Sequence, residues 1–171
     1  MTQEKLHAQL GHFVMNFQAV EAAMVELTVQ VVNADPEHIA TLTAELEFNG
    51  KTRALDVIFT RFAQIYGLSD KSPHPEFHDL VKRIQRLATR RNDLVHSFYH
   101  YLITAEGDLA LSRVPTKLKP SEGLREQPPE DILPSRLESE ITEMKQILEE
   151  LEKYRMLAIG DLQPSCPNSC T

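Results

Sequence analysis

Phe77-His78-Asp79-Leu80-Val81-Lys82-Arg83-Ile84-Gln85-Arg86-Leu87-Ala88-Thr89-Arg90-Arg91-Asn92-Asp93-Leu94-Val95-His96 decides how this chain is read. Phe77, Leu80, Val81, Ile84, Leu87 and Ala88 recur at helical spacing and predict an amphipathic helix with one apolar face. The next rung of that ladder is Arg91, where the pattern asks for a leucine. Arginine is rarely buried without a partner, and a clash between local pattern and residue type is where function is most often found.

On the helix, Asn92 and His96 stand at i and i+4, so they share a face on which the amide can orient the imidazole. Arg91 lies about 100° from Asn92 around the same cylinder, within reach of its long side chain. An imidazole titrates near neutrality and moves protons, whereas a guanidinium stays charged and offers a planar fork of donors to phosphate. Together they suit a phosphoryl-transfer site. Upstream, Lys82, Arg83, Arg86, Arg90 and Arg91 place five bases in ten residues with no acid among them, a stripe fit to steer a phosphate backbone toward His96. The plainer reading of that stripe is a solvated face or a patch for an acidic partner.

This helix-borne Arg91-Asn92-x-x-x-His96, preceded by a basic amphipathic helix and followed by a hairpin signal, resembles the Rx4-6H signature of HEPN domains. Helical order and the motif's place late in a long helix look similar over roughly residues 10 to 115, and a closing helix near 135 to 160 also fits. The resemblance implies a metal-independent endoribonuclease, often a toxin or defence component, with no cofactor. Its active site forms where two protomers meet, so it implies a homodimer with RNA as substrate. Arg91 and His96 are then the catalytic pair, with Asn92 orienting. For a toxin, the resemblance implies a nucleotidyltransferase-like antitoxin as partner. Other members of the family keep the fold without nuclease chemistry, so fold is implied more firmly than activity.

Around this helix, the rest of the chain reads as mainly α, an up-and-down bundle of about five helices with an accessory β-hairpin. Leu6, Leu10, Phe13, Phe17, Val20, Met24, Leu27 and Val31 alternate steps of four and three, a coiled-coil-like seam for a first helix over about residues 3 to 33. Asp35-Pro36 reads as an N-cap with proline at N1, opening a helix to about Leu46. Asn49-Gly50 breaks the pattern before Leu55, Ile58, Phe59, Phe62 and Ile65 mark a third helix, closed by Gly67. Ser72-Pro73-His74-Pro75 is a rigid corner before the motif helix. A hairpin is predicted over 97–114, turning at Ala105-Glu106-Gly107-Asp108. Five of the ten prolines fall in 115–134, which reads as an irregular arm rather than a packed element. Leu137, Ile141, Met144, Leu148 and Leu151 restore the helical rhythm over about 135 to 159, with an acidic outer face that reads as solvated, docking on the basic stripe being the alternative.

At 171 residues and 42% hydrophobic content, one domain over residues 1–160 with a flexible tail at 161–171 is expected. There is no apolar run of about 18 residues for a membrane span and no signal-like start, so a cytoplasmic protein is expected. The net charge of −7 argues against an extended basic surface for long nucleic acid. Cys166 and Cys170 supply at most half a zinc site, and the i, i+4 pairs His96/His100 and His74/His78 lack the carboxylate of a metal motif, so no metal site is assigned.

Two further residues complete the site. Glu21 flanks the seam of the first helix and needs a cation, for which Arg91 is the expected partner. Tyr99, on the Asn92/His96 face if the helix runs one more turn, is a base-stacking candidate with Lys82, Arg83, Arg86 and Arg90 as RNA contacts. The competing reading is a non-catalytic HEPN-like interaction module in which Arg91 and Glu21 hold helices together.

Overall fold

The computed structural model describes residues 3–68, 75–103, 105, 107, 109–116, 118–121, 123–125 and 128–162. The corner at Ser72-Pro73-His74 and the tail cysteines Cys166 and Cys170 lie outside the described residues. Among the described residues, five helices, a three-stranded antiparallel sheet (order β1-β2-β5) and a two-stranded one (β3-β4) make the chain mainly α with an accessory hairpin, as expected: α1 (Gln3–Val32), α2 (Pro36–Ala44), α3 (Phe48–Ile65), α4 (Pro75–Val95), β1 (Ser97–Ile103), β2 (Leu109–Pro115), β3 (Leu118–Lys119), β4 (Leu124–Arg125), β5 (Glu130–Ile132) and α5 (Pro134–Leu162). Among the described residues no helix is long and apolar enough to cross a membrane.

Local chemistry sets the helix ends. Asp35 caps α2 by accepting hydrogen bonds from the backbone N–H of Glu37 at 2.9 Å and His38 at 3.3 Å, with Pro36 at N1 where no donor is needed. The α1 helix closes in a Schellman arrangement. Asn33, at φ 53°, donates to the Gln30 carbonyl, and Ala34 donates to that of Val29. Gly67, at φ 66°, plays the Asn33 part after α3, with Leu68 donating to the Ala63 carbonyl. Asn49-Gly50 does not precede α3 but lies in its first turn, because the Gly50 and Lys51 N–H groups already find the Glu47 carbonyl.

The chain divides into two compact units, to both of which α1, α4 and α5 contribute. One comprises Met1–Ala19 and Arg86–Gln146. Its core gathers Leu6, Phe13 and Phe17 of α1, Leu87, Ala88 and Leu94 of α4, Ala110 and Leu111 of β2, Ile132 of β5, and Leu137 and Met144 of α5. The hairpin pairs β1 with β2 from Ser97↔Pro115 to Ile103↔Leu109. The proline-rich arm does end in a packed element: β5 pairs antiparallel with β2 through Leu111↔Ile132, Ser112↔Asp131 and Arg113↔Glu130, and Ile132 is buried. Pro128 and Pro129 precede this strand and Pro134 opens α5, so the prolines sit at boundaries and leave the strand's own donors intact.

The other unit comprises Val20–Gln85 and Ile147–Thr171. Val20, Met24, Leu27 and Val31 continue the α1 seam into its core. There the Phe59 and Phe77 rings stack at 4.0 Å between centroids and Tyr154 meets both edge-on, at 5.1 and 4.9 Å. On α5, Ile147 and Leu151 are buried, whereas Leu148 is half-buried.

Candidate functional site

Side chains from the hairpin satisfy the carbonyls at the end of α4. The Ser97 hydroxyl donates to the Asp93 carbonyl, the Tyr99 hydroxyl donates to the Leu94 carbonyl at 2.6 Å, and the Thr116 hydroxyl donates to the His96 carbonyl at 2.6 Å. The last carbonyls of a helix have no partner within it, so this lacing ends α4 and fixes where His96 emerges. His96 itself donates from its backbone N to the Asn92 carbonyl at 3.0 Å.

Asn92 and His96 are both exposed, and they line one small cleft with Asp93, Ser97, Arg113, Pro115 and Thr116. At about 40 Å³ it has room for a water or two. Arg91 does not line this cleft. Its guanidinium lies over the buried Phe17 ring of α1, 4.9 Å from the centroid, and its Nε is buried with no hydrogen-bond partner. A single chain therefore gathers Asn92 and His96 and holds Arg91 apart from them.

Several expected roles are redistributed. Glu21 takes Lys51 as its partner, at 2.8 Å, in place of the Arg91 expected from sequence. Tyr99 belongs to β1, because α4 stops at Val95, and its hydroxyl is committed to Leu94. Burial pushes the Tyr99 phenol above its ordinary pKa, with Glu130 adding to the rise and the charges of Arg113 and Arg90 opposing it. His96 and His100 fall on different elements, one past the end of α4 and one within β1. His78 is bonded through Nδ1 to Asp56 at 2.8 Å, and His74 lies outside the described residues.

The basic stripe is largely answered by acids. Lys82 contacts Asp79 at 3.1 Å, Arg83 meets Glu150 of α5 at 2.7 Å, and Arg90 bonds Glu130 at 2.8 Å and Glu140 of α5 at 2.9 Å. Both Glu140 and Glu150 come from the acidic face of α5, which thus docks on the stripe instead of being wholly solvated. Arg86 is exposed and, among the described residues, pairs with no carboxylate.

Sequence reasoning missed the centre of this arrangement. Arg113 of β2, only 4% exposed, holds Glu130 at 2.9 Å, and Arg136 of α5 contacts both Glu130 and Glu140. Burial alone would push the Glu130 carboxyl up, but the hydrogen bond from Arg90 and the charges of Arg90, Arg136 and Arg113 hold it below the usual carboxylate range. For Arg90 burial works downward, and the bonds and charges of Glu130 and Glu140 outweigh it, leaving the guanidinium more basic than usual. In sequence, the available signal was Arg113 itself, a cation in register with Leu111 on the inward face of a strand.

Beside this network lies an open cleft of about 510 Å³, lined by Arg86, Arg90, Arg113 and Arg136 together with Asp93, Glu130 and Pro129. Asp93 and Arg113 line both this cleft and the His96 cleft. No protein-family model, curated protein or solved structure matches the chain.

Proposed function

We propose that this chain is a HEPN-like, metal-independent endoribonuclease of the toxin or defence kind, acting as a homodimer in which Arg91 and His96 are the catalytic pair. The observation that carries the reading is the state of Arg91. Its neighbours Lys82, Arg83 and Arg90 on α4 are each paired with a carboxylate, whereas Arg91, like the exposed Arg86, meets none among the described residues, and its Nε is buried without a hydrogen bond, as is Nη2 of Arg90. A native structure rarely strands a buried donor without a reason. The contact with Phe17 is made over the ring, 4.9 Å from its centroid, and supplies no hydrogen-bond acceptor for the guanidinium N–H groups.

In this mechanism an imidazole accepts the proton of a ribose 2′-hydroxyl as its oxygen attacks the adjacent phosphorus, and the 5′-oxygen leaves with a proton. His96, exposed at the end of α4, is suited to either proton transfer. A twofold dimer supplies two imidazoles, one for each, and lets Arg91 of one protomer stabilise a phosphorane held at His96 of its partner. Asn92 shares the His96 cleft and orients the substrate or the ring. Glu21, paired with Lys51, takes no part at the reacting atoms. A nucleotidyltransferase-like antitoxin belongs to this reading as its neutralising partner.

A second reading, a non-catalytic HEPN-like interaction module, draws support from the Arg91–Phe17 contact, which links α4 to α1. RNA cleavage in EDTA by wild type, His96→Ala and Arg91→Ala, with folding and dimerisation checked, separates the two. Loss of a general acid or base costs about 10²- to 10⁴-fold in rate. Cleavage insensitive to His96→Ala ends the nuclease reading, and no cleavage of several RNAs leaves the interaction module.

A further inference from the structure

We propose that the arginine-lined cleft beside β5 is a phosphate-binding site for single-stranded RNA, with Arg86 and Arg136 as the contacting residues. Its volume of about 510 Å³ suits a nucleotide, unlike the far smaller space at His96. Its lining carries Arg86, Arg90, Arg113 and Arg136 against the acids Asp93 and Glu130. The chain's own carboxylates have taken the deep positions: Glu130 holds Arg90 and Arg113, and Glu140 holds Arg90 from α5. Asp93 is the other acid of the lining, half-buried, and Arg86 and Arg136 present the exposed cations.

Arg86 stands there exposed and, among the described residues, meets no carboxylate. Arg136 is 54% exposed and reaches Glu130 through Nη1 and Glu140 through Nε, which leaves Nη2 for a ligand. Guanidinium edges held by a buried network offer the fork that phosphate oxygens accept, with less side-chain freedom to lose than a loose surface lysine. Arg90 and Arg113 act behind them as positioning residues. Because Asp93 and Arg113 also line the His96 cleft, a strand whose phosphate rests on Arg86 and Arg136 continues toward the imidazole. The choice of RNA as ligand rests on the ribonuclease reading, whereas the affinity for phosphate does not.

The test is fluorescence anisotropy of a labelled 2′-O-methyl oligonucleotide, which lacks the free hydroxyl needed for cleavage, over a salt series with wild type, Arg86→Gln, Arg136→Gln and His96→Ala. Removing one arginine–phosphate interaction should reduce the slope of log affinity against log salt by about 0.7. His96→Ala should keep the wild-type slope. Arg86 is exposed and has no carboxylate partner among the described residues, so Arg86→Gln carries the test even if Arg136→Gln fails to fold. An unchanged slope in Arg86→Gln, or no binding by wild type, overturns the proposal. Binding that depends on Arg86 without cleavage of an all-ribose strand retains this site and removes the nuclease reading; cleavage with binding indifferent to Arg86 does the opposite.

Discussion

Arg113 and Glu130 face each other across the β2–β5 ladder and form a 2.9 Å ion pair whose cation is 4% exposed. The pair is the hinge of a larger set, since the same carboxylate also receives Arg90 and Arg136. Glu130→Ala takes a carboxylate from Arg113, Arg90 and Arg136 at once and should cost about 3 to 5 kcal/mol in urea unfolding, whereas Arg113→Ala, which leaves Glu130 with Arg90 and Arg136, should cost less. The double change Arg113→Met with Glu130→Leu should cost less than the sum of the two single changes. A double variant as unstable as the sum of the singles would show that the two residues act separately.

Acid should expose the same pair. Because the Glu130 carboxyl titrates below the ordinary value of 4.5 in the folded chain, the stability it contributes is complete above the unfolded value and is lost as pH falls through the lower folded one. Wild type should therefore lose stability on acidification more steeply than Glu130→Gln, with the difference confined to that window. Parallel profiles for the two proteins would contradict the assignment.

Tyr99→Phe should cost about 1 kcal/mol by removing the hydrogen bond to the Leu94 carbonyl. In wild type, ultraviolet titration should find this phenol ionising above the ordinary value of 10.0, since burial favours its neutral form. The sign is that of a raised group: its contribution is intact below the unfolded pKa and falls as alkali carries the pH through the folded one. If RNA cleavage is found, Tyr99→Phe should keep it, because the proton chemistry is placed on His96.

Arg91 and His96 should separate stability from activity. His96 is exposed, so His96→Ala should leave the unfolding midpoint near wild type. Arg91→Met removes a cation from above a buried ring and should cost about 0.5 to 2 kcal/mol. Under the ribonuclease proposal both abolish cleavage. A large stability loss from His96→Ala would place the imidazole in the framework instead.

Phe59→Ala should be the most damaging aromatic change among these tests, at about 3 to 5 kcal/mol, because the ring is buried and contacts both Phe77 and Tyr154. Thermal unfolding would check it. A small loss would mean that the stack relaxes to fill the space.

How much of the fold and the site was legible in the sequence follows from the range of each interaction. The α1 seam, the Asp35 cap, the Gly67 stop and the hairpin are written in residues a few positions apart, and the structure places them where the pattern does. The Asn92/His96 face is equally local. The Arg90 and Arg113 pairs span up to 50 residues, and no periodicity signals which acid meets which base. Strand β5 was hidden because three residues between prolines are too few to alternate. Glu21 shows the limit most clearly: its need for a cation was readable from the seam, but Lys51 supplied it from α3.

Both carboxylates that serve Arg90 lie downstream of the hairpin, at Glu130 and Glu140. A fragment cut after Pro115 would retain every residue of the Arg91–His96 motif and yet remove Glu130 and Glu140, the two carboxylates that Arg90 meets. Such a minimal piece would also lack Ile132, Leu137 and Met144 of the core, so nucleic-acid affinity measured on it would not report on the intact chain.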